Sequence, residues 1–486
     1  MKYIIGIDQS TQGTKAVLFN ESGDICGRAD RAHRQLINDK GWVSHDLSEI
    51  YENTKFVIRQ VIEQVQIDKG DVAALGISNQ RESTAAFFET GVPALESVVW
   101  QCARAESITQ RHAASKLAIL DKTGLPLSPY FPAAKMCWLK EFLESERDVD
   151  VKNLKFGTMD TWLIYKMTNG RSYKTDYSNA SRTQLFNLHT LSWDPEICAL
   201  FGIPISSLPE VCDSDSLFGM TDLEGYFSKE IPIHSAIGDS HAALFGQGCH
   251  KSGMVKTTYG TGSSIMMHVG EHYIQSQHGL AASLAWARGG VVEYVLEGNI
   301  NYTGAVITWL KNEMELITSP GESETLAKMA NPEDETVLVP AFSGLGAPYW
   351  VGDAKASIYG MSRLTGKKEL IKASLESIGF QINDVLSAMT ADFGEKLMEL
   401  RVDGGATSNH FLMQFQSDIA DVNVSVAADE ELSAIGAAYM AGTALGIYDN
   451  CIFNRMSYET YTPKMSIEER NRKNDRWKDA VRRGIM

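Results

Sequence analysis

The chain has 486 residues, more than one hydrophobic core usually holds, so we expect at least two domains. Its 44% hydrophobic and 22% charged residues are ordinary for a soluble globular protein. The formal net charge of −16 argues against nucleic acid or an anionic membrane surface as the natural partner. No apolar run approaches the roughly 18 residues of a membrane-spanning helix, so we expect no membrane span.

The cysteines point to a reducing compartment. The chain has seven, scattered along its length, with no CxxC pair and no histidine cluster beside them. This pattern is typical of free thiols rather than of a disulfide framework or a zinc site. The first apolar segment begins at residue 3, which leaves no room for a signal peptide. We therefore expect a cytoplasmic protein.

The first predicted element is a β-hairpin. Residues 3–7 form an apolar strand, residues 8–15 a polar turn, and residues 16–19 a second strand. Glycine, bare backbone N–H groups and hydroxyls at such a tip suit a phosphate chain. Asp8 could orient Mg²⁺ through water, because this ion keeps waters and takes few protein ligands. Lys15 lies where a cation could meet a transferring phosphoryl group.

A helix and a buried strand follow. Apolar residues recur at helical spacing over 48–65, and residues 72–78 read as a strand of a parallel sheet. Arg81 and Glu82 come directly after that strand. Such a guanidinium and carboxylate can bind vicinal hydroxyls, but an exposed ion pair is the alternative.

Asp239 stands between an apolar strand, residues 231–237, and an alanine-rich helix. An Asp at this position is often a helix N-cap. The functional alternative is a general base that takes the proton of an attacking hydroxyl, as kinases of several folds require.

A second hairpin of the same design lies about half the chain away. Its strands are residues 253–258 and 265–267, and its turn carries Gly260, Thr261 and Gly262. Neither hairpin fits the P-loop or the dinucleotide-binding fingerprint. Two such hairpins suggest duplicated lobes that grip one polyphosphate, which predicts an ATP-using enzyme. The alternative is a pair of tight surface turns.

The second half repeats the α/β alternation. We predict helices over 370–389, 411–419 and 433–445, and a strand over 397–402 that ends in Asp403-Gly404-Gly405-Ala406. This Gly pair, with Asn409 close behind, could admit an adenosine or phosphate group, or could simply form a tight strand–helix turn. We predict an N-terminal lobe of residues 1–247, with insertions at about 104–230. The C-terminal lobe is then residues 248–486.

Several motifs together carry a resemblance. They are Asn79-Gln80-Arg81-Glu82-Ser83-Thr84, Val99-Trp100-Gln101, Pro129-Tyr130-Phe131, Thr175-Asp176-Tyr177-Ser178-Asn179-Ala180-Ser181-Arg182-Thr183, Tyr259-Gly260-Thr261-Gly262, Phe342-Ser343-Gly344-Leu345-Gly346-Ala347-Pro348-Tyr349-Trp350 and Asp403-Gly404-Gly405-Ala406. The chain resembles the FGGY carbohydrate kinases over nearly its full length, and within them it is most similar to the glycerol kinases.

The resemblance implies two ribonuclease-H-like lobes of the actin and sugar-kinase superfamily, with the active site in the cleft between them. It implies transfer of the γ-phosphoryl group of ATP to a primary hydroxyl, with Mg²⁺, to form glycerol 3-phosphate. It also implies a homodimer or homotetramer. The substrate residues that it implies are Arg81, Glu82, Trp100, Tyr130, Asp239, Ser240 and Ser264, with Asp239 as the base. The implied nucleotide residues are Thr11, Gln12, Lys15, Thr261, Gly304, Thr308, Gly405 and Asn409, and Asp8 lies in the Mg²⁺ region.

Four positions depart from the usual glycerol kinase pattern. Ser240 replaces a Gln, Ser264 replaces a Phe, and Gln12 and Lys15 replace a Thr and an Arg. Two short hydroxyl side chains should enlarge the pocket, so a four- to six-carbon polyol or sugar is the alternative substrate. The loop that binds a sugar bisphosphate inhibitor in some relatives has no counterpart near residues 225–231. An ATP-binding switch without a small substrate is the remote alternative, and Asp239 and the Arg81-Glu82 pair argue against it.

Overall fold

The computed structural model describes residues 1–485, the side chain at position 152 excepted. The strands of the first half are β1 (Tyr3–Gln9), β2 (Gly13–Phe19), β3 (Ile25–Ala32), β4 (Leu36–Ile37), β5 (Val43–His45), β6 (Val72–Asn79), β7 (Ala85–Phe88), β8 (Ser97–Val98), β9 (Leu154–Gly157), β10 (Lys174–Asp176), β11 (Phe186–Asn187), β12 (Ser192–Trp193), β13 (Glu210–Cys212), β14 (Gly219–Thr221) and β15 (Ile231–Gly238). Its helices are α1 (Leu47–Val65), α2 (Glu106–Arg111), α3 (Lys116–Thr123), α4 (Pro132–Arg147), α5 (Met159–Met167), α6 (Tyr177–Ala180), α7 (Pro195–Leu200) and α8 (Asp239–Gly246).

The second half is built from similar elements. Its strands are β16 (Met254–Tyr259), β17 (Ser263–Gly270), β18 (Ala281–Arg288), β19 (Val291–Ile300), β20 (Val337–Val339), β21 (Ser357–Tyr359), β22 (Glu399–Asp403), β23 (Val424–Ala427) and β24 (Tyr458–Tyr461). Its helices are α9 (Gly304–Asn312), α10 (Glu322–Lys328), α11 (Lys367–Phe393), α12 (His410–Ala420), α13 (Leu432–Ala444) and α14 (Ile467–Gly484). The helices and strands that the sequence predicts are present, with bounds that differ by a few residues.

Both halves contain a large mixed sheet with the same core topology. The first sheet has the order β14-β15-β6-β1-β2-β3, and the second has the order β18-β19-β17-β16-β22-β23-β24. In each, a hairpin pairs with an antiparallel strand on one side and with two successive parallel strands on the other. The strands β3-β2-β1-β6-β15 and β19-β17-β16-β22-β23 therefore correspond. This repeat confirms the predicted pair of α/β lobes.

Apolar faces hold helices on the sheets. The helix α1 begins at the N-cap Asp46, whose carboxylate accepts from Ser48 N at 2.8 Å and Glu49 N at 3.3 Å. Its buried side, which includes Ile50, Val57 and Val61, joins the core on the outer face of the first sheet. The long helix α11 has the same role on the second sheet. None of the helices within residues 1–485 combines the length and apolarity that a membrane crossing needs.

Two helices lie between the sheets. The helix α13 comes from the second half of the chain but packs against β1, β6 and β15 of the first sheet, and α8 packs against α13. Gly436 permits the close approach, because a Cβ on it would overlap Ala242 O. The predicted boundary after residue 247 falls in the turn that follows α8 and remains a prediction. The helix α13 therefore belongs to the second half of the sequence but packs on the sheet of the first half.

Candidate active site

The site begins where three parallel strands of the first sheet end together. Gln9 of β1 lies opposite Asn79 of β6, and Asn79 lies opposite Gly238 of β15. Parallel strands that end in register bring the residues at and after their carboxyl ends to one edge of the sheet. Asp8, Arg81 and Asp239 therefore converge, although they are far apart in the sequence.

Arg81 joins the two halves of the chain. Its Nε donates to Asp239 Oδ1 at 3.1 Å, and its Nη1 and Nη2 donate to Glu297 Oε2 at 3.0 Å and Oε1 at 2.8 Å. The Arg81 side chain is only 5% exposed. The alternative of an exposed ion pair with Glu82 is wrong, because both side chains are buried and each has another partner.

Glu297 holds a second arginine. Arg182 Nη1 lies 2.7 Å from Glu297 Oε2, and Arg182 Nε donates to Glu82 Oε1 at 2.6 Å. Burial alone would raise the pKa of Glu297, but Arg182 and Arg81 hold it well below its usual range. The four side chains form one buried network that orients Arg81 toward Asp239.

Asp239 is the first residue of α8, whose N-cap is Gly238, so the N-cap alternative for Asp239 is wrong. Its Oδ1 accepts from Arg81 and from Ser240 N at 2.6 Å. Its Oδ2 has no hydrogen bond from the residues that the structure describes, and the side chain is 34% exposed. One oxygen is therefore fixed by donors, while the other has no described donor on a partly exposed side chain.

Two hydroxyls join the network of Arg81 and Glu297, and two aromatic rings pack on each other. Ser240 Oγ accepts from Arg81 Nη2 at 3.1 Å, and Ser264 Oγ donates to Glu297 Oε1 at 3.1 Å. Trp100 and Tyr130 pack edge to face, with their ring centroids 5.7 Å apart.

The aromatic pair is connected to the rest of the site. Trp100 Nε1 donates to Thr11 Oγ1 at 2.9 Å, which links the pair to the first hairpin. Lys135 Nζ contacts Tyr130 O and lies 3.4 Å from Glu82 O. The structure thus brings together all seven residues predicted on the substrate side.

Asp8 lies beside this cluster, at the end of the first hairpin. Ser78 Oγ donates to its Oδ1 at 3.1 Å. Burial, and next the charge of Asp239, raise the pKa of Asp8 to about 7, while Lys15 opposes the shift. Lys15, directly opposite Asp8 in the hairpin, contacts Glu431. The turn residue Gln12 is exposed, and its carbonyl accepts from His33 N at 3.2 Å.

The second hairpin is closed by the start of α9. Gly260 O accepts from Gly304 N at 2.9 Å, and Thr261 O accepts from Thr303 N at 2.9 Å and Ala305 N at 3.1 Å. Thr308, one turn along the helix, donates its Oγ1 to Gly304 O at 3.1 Å and is exposed. Thr261, Gly304 and Thr308 therefore form one surface.

The glycine pair after β22 meets the same hairpin. Gly404 has φ +99°, and a Cβ on it would lie 2.5 Å from Tyr259 O, so only glycine fits without strain. Gly405 has open space where a Cβ would point. Asn409 caps α12 through Leu412 N at 3.0 Å and donates to Ser323 Oγ at 3.2 Å. Its amide therefore closes the turn, as the structural alternative predicts.

These residues fit a metal–nucleotide complex better than a metal alone. Within residues 1–485 no group of three or more His, Cys, Asp or Glu side chains could hold a metal ion. Asp8 keeps one oxygen without a described hydrogen bond, and Lys15 only partly offsets the effect of burial and of Asp239 on its pKa. Such a site suits Mg²⁺ that takes its other ligands from phosphate oxygens and water.

Three site residues were not predicted from the sequence. Glu297 is one of two acids in the otherwise mostly apolar strand β19, and a charge in such a strand was its available signal. Arg182 falls within a motif that supports the resemblance, but the residues around it in the sequence do not indicate that it contacts Glu82 and Glu297. Lys256 is buried on β16; burial lowers its pKa, which Asp403 and Asp239 partly restore.

Comparison with known proteins decides the family. The model for the N-terminal domain of the FGGY family of carbohydrate kinases matches residues 3–246, and the model for its C-terminal domain matches residues 255–445. The chain belongs to the FGGY family. This FGGY protein is therefore a carbohydrate kinase, an enzyme that phosphorylates an alcohol group.

Curated relatives and solved structures agree with the assignment. The FGGY chain is 43% identical to the glycerol kinase of Geobacillus sp. strain WCH70, over 99% of this chain and 98% of that protein. It is 44% identical to glycerol kinase 1 of Thermotoga maritima, over 99% of both. The Plasmodium falciparum glycerol kinase solved with ADP superposes with a TM-score of 0.94 at 33% identity, covering 100% of this chain and 99% of that one.

A more distant structure shares the fold alone. The xylulose kinase of Lactobacillus acidophilus has a TM-score of 0.89 at 23% identity, over 99% of this chain and 97% of that one. The two-lobed architecture is therefore common to kinases of different names.

Proposed function

We propose that this FGGY kinase transfers the γ-phosphoryl group of ATP to a primary hydroxyl of glycerol and forms glycerol 3-phosphate. The observation that carries the proposal is the partly exposed carboxylate of Asp239, with Oδ1 held by Arg81 and Oδ2 without a described hydrogen bond. Support also comes from the full-length similarity to proteins named glycerol kinase and from the Plasmodium structure with ADP.

Asp239 acts as the general base. Its Oδ2 accepts the proton of the substrate hydroxyl while that oxygen forms a bond to the γ-phosphorus and the bond from phosphorus to the β,γ-bridging oxygen breaks. ADP leaves with the electron pair of that bond. The donors on Oδ1, from Arg81 and from Ser240 N, hold the carboxylate in a fixed orientation for this step.

The remaining substrate hydroxyls bind the network around Glu297. Arg81 can donate to them, and Ser240, Ser264 and Glu82 can exchange further hydrogen bonds with them. Trp100 and Tyr130 cover the carbon chain. A polyol held in this way presents a hydroxyl to Asp239, and positioning supplies much of the acceleration in phosphoryl transfer.

The nucleotide phosphates lie between the two hairpins in this proposal. Thr11, Gln12 and Lys15 bind from the first hairpin. From the second lobe, the side chain or backbone of Thr261, Gly304, Thr308, Gly405 and Asn409 lines the nucleotide. Mg²⁺, held near Asp8, would neutralise phosphate charge as the bond to the leaving group breaks.

A longer polyol or sugar is the second candidate substrate. Ser240 and Ser264 are short side chains bonded to Arg81 and Glu297, and both hydroxyls can exchange these partners for a ligand. A four- to six-carbon chain would use that space, at the cost of contacts with glycerol.

The test is ATP turnover by the purified full-length protein with Mg²⁺, against glycerol, erythritol, xylitol, ribitol, xylulose, ribulose and gluconate. We expect the largest kcat/KM with glycerol, and the product to be identified as glycerol 3-phosphate by phosphorus NMR. Another compound with a kcat/KM more than about tenfold that of glycerol would reject glycerol as the substrate. No turnover with any of them would reject this group of acceptors.

We also propose a cytoplasmic homo-oligomer. All seven cysteines are free thiols, which suits a reducing compartment. Met361 and Leu364 are 55% and 72% exposed on the second lobe, which suits burial by another copy of the chain. Light scattering after size exclusion should give a mass two or four times 53.6 kDa; a mass of one chain would reject the oligomer.

A further inference from the structure

Lys15 is held by a carboxylate from the other half of the chain. Its Nζ lies 3.1 Å from Glu431 Oε2 and 3.3 Å from Oε1, so the ammonium contacts both oxygens. Lys15 itself is 43% exposed at the side chain, whereas Glu431 is 7% exposed. A flexible, exposed lysine is thus tied to a fixed, buried partner.

Glu431 is fixed because it directly precedes α13. Its backbone carbonyl accepts from Ile435 N at 2.9 Å, the first hydrogen bond of that helix. Arg28 Nη1 also reaches Glu431 Oε1, at 3.2 Å, from β3. Arg28 is 62% exposed on β3, the edge strand of the first sheet, and gives the carboxylate a second cationic partner.

The same helical turn also holds the base. Ser433 Oγ donates to Asp239 O at 3.2 Å. Because α13 packs tightly on α8, residues 431–433 contact both Lys15 and the main chain of Asp239. One rigid turn therefore sets the distance between the cation of the first hairpin and the base.

A negative charge beside a polyphosphate site is unfavourable for nucleotide binding by itself. The contacts of the Glu431 carboxylate suggest a different role for its charge. We propose that Glu431 is a positioning residue that fixes the Lys15 ammonium for phosphoryl transfer, an inference that rests on the proposed function. Because the Lys15 side chain is already ordered by Glu431, no further conformational entropy is lost when it meets the transferring group. A small misplacement of the ammonium would lower the rate.

The competing explanation is an ordinary ion pair that only contributes to stability, as most partly exposed pairs do. The two explanations differ in how Glu431 depends on Lys15. A positioning role requires Lys15 to be present, whereas a stabilising role through Arg28 or the helix does not.

The experiment is a double-mutant cycle with the full-length protein: wild type, Glu431→Gln, Lys15→Met and both together. The readouts are kcat, the KM of the alcohol, and the Kd of MgATP by calorimetry. Arg28→Met and Glu430→Gln are matched controls: the first removes the other cation on Glu431, and the second removes a charge from the exposed neighbouring residue.

We expect Glu431→Gln to lower kcat at least about tenfold, with the Kd of MgATP unchanged or lower because a negative charge is lost. On the Lys15→Met background the same change should cost less than about twofold. Both controls should keep kcat within about twofold of the wild type. A kcat insensitive to Glu431→Gln, or an equal loss on both backgrounds, overturns the inference.

Melting curves identify a variant that does not fold. In that case Glu431→Asp, which keeps the charge but withdraws it by one methylene, takes its place with the same expected coupling to Lys15. A wild type inactive with every alcohol rejects the proposed function, whereas an active wild type with no coupling rejects only the role of Glu431.

Discussion

The two hairpins share their strand pairing but differ in what they carry. The first has Asp8 opposite Lys15 at the base of its turn, and both lie in a dense set of charges. The second has only uncharged residues from Tyr259 to Ser264, with carbonyls bonded to the start of α9. The two hairpins thus share their strand framework, while the turn of the first is flanked by a charged pair and the turn of the second is uncharged.

This difference suggests a division of work. Charged groups and a metal stabilise the charge that develops during phosphoryl transfer. A neutral turn rich in backbone groups binds the phosphate chain equally before, during and after transfer. Changes near the first hairpin should therefore lower kcat, and changes in the second should raise the KM of ATP.

The largest effect is expected from Asp239→Asn, on the charged side. Asn keeps the shape of the residue but is a poor base, so kcat should fall about 10²–10⁴-fold. The Kd of ATP, measured by calorimetry, should stay within about threefold because the second hairpin is intact. A variant with more than about a tenth of the wild-type turnover would show that another group, such as Glu82, is the base.

Next in size is Asp8→Asn. We expect kcat to fall about a hundredfold and the Mg²⁺ concentration for half-maximal activity to rise, because a carboxylate ligand is lost. Ser78→Ala, which removes only the hydrogen bond to Asp8, is the control and should cost less than about tenfold. If Asp8→Asn instead changes only the KM of ATP, the two hairpins do not divide the work.

A smaller effect is expected from Ser240→Gln combined with Ser264→Phe. The pair should shrink the pocket beside Asp239 and raise the ratio of kcat/KM for glycerol over a five-carbon polyol by about tenfold. The ratio is measured with the same two alcohols for both proteins. A ratio that does not move would mean that the two serines do not set the size of the substrate.

The smallest effect is expected from a change in the uncharged second hairpin. Thr261→Val removes one hydroxyl from the second hairpin and should raise the KM of ATP roughly three- to tenfold. Its kcat should change less than about threefold, in contrast with Asp8→Asn. A loss of kcat without a change in KM would assign Thr261 to the transfer step.

The sequence predicted the parts of the site that follow from local rules. Both hairpins, and the placement of Arg81 and Asp239 after parallel strands, come from hydrophobic pattern and from where strands end. Strand ends in register then bring these residues together without any further information. Local rules therefore singled out Arg81 and Asp239, whereas Trp100, Tyr130, Ser240 and Ser264 were expected only from the resemblance to the FGGY kinases.

The sequence did not predict contacts that depend on packing between distant segments. Glu297 reaches Arg81 and Arg182 only through the register of β19 in the second sheet and the closeness of the two lobes. Glu431 reaches Lys15 because α13 crosses to the first sheet. No local pattern encodes such pairings, because the sequence around a charged residue does not tell which distant segment it will meet.

The packing of α13 on the first sheet has a consequence for folding during translation. The inner face of the first sheet is complete once β15 has been made, but its cover, α13, begins only at Leu432. At about 5–20 residues per second, translation of the intervening segment takes roughly 10–40 seconds. During that time Ile4, Val17 and Ile237 lack the helix that buries them. The order of the sequence therefore leaves one apolar sheet face uncovered until nearly the whole chain has been synthesised.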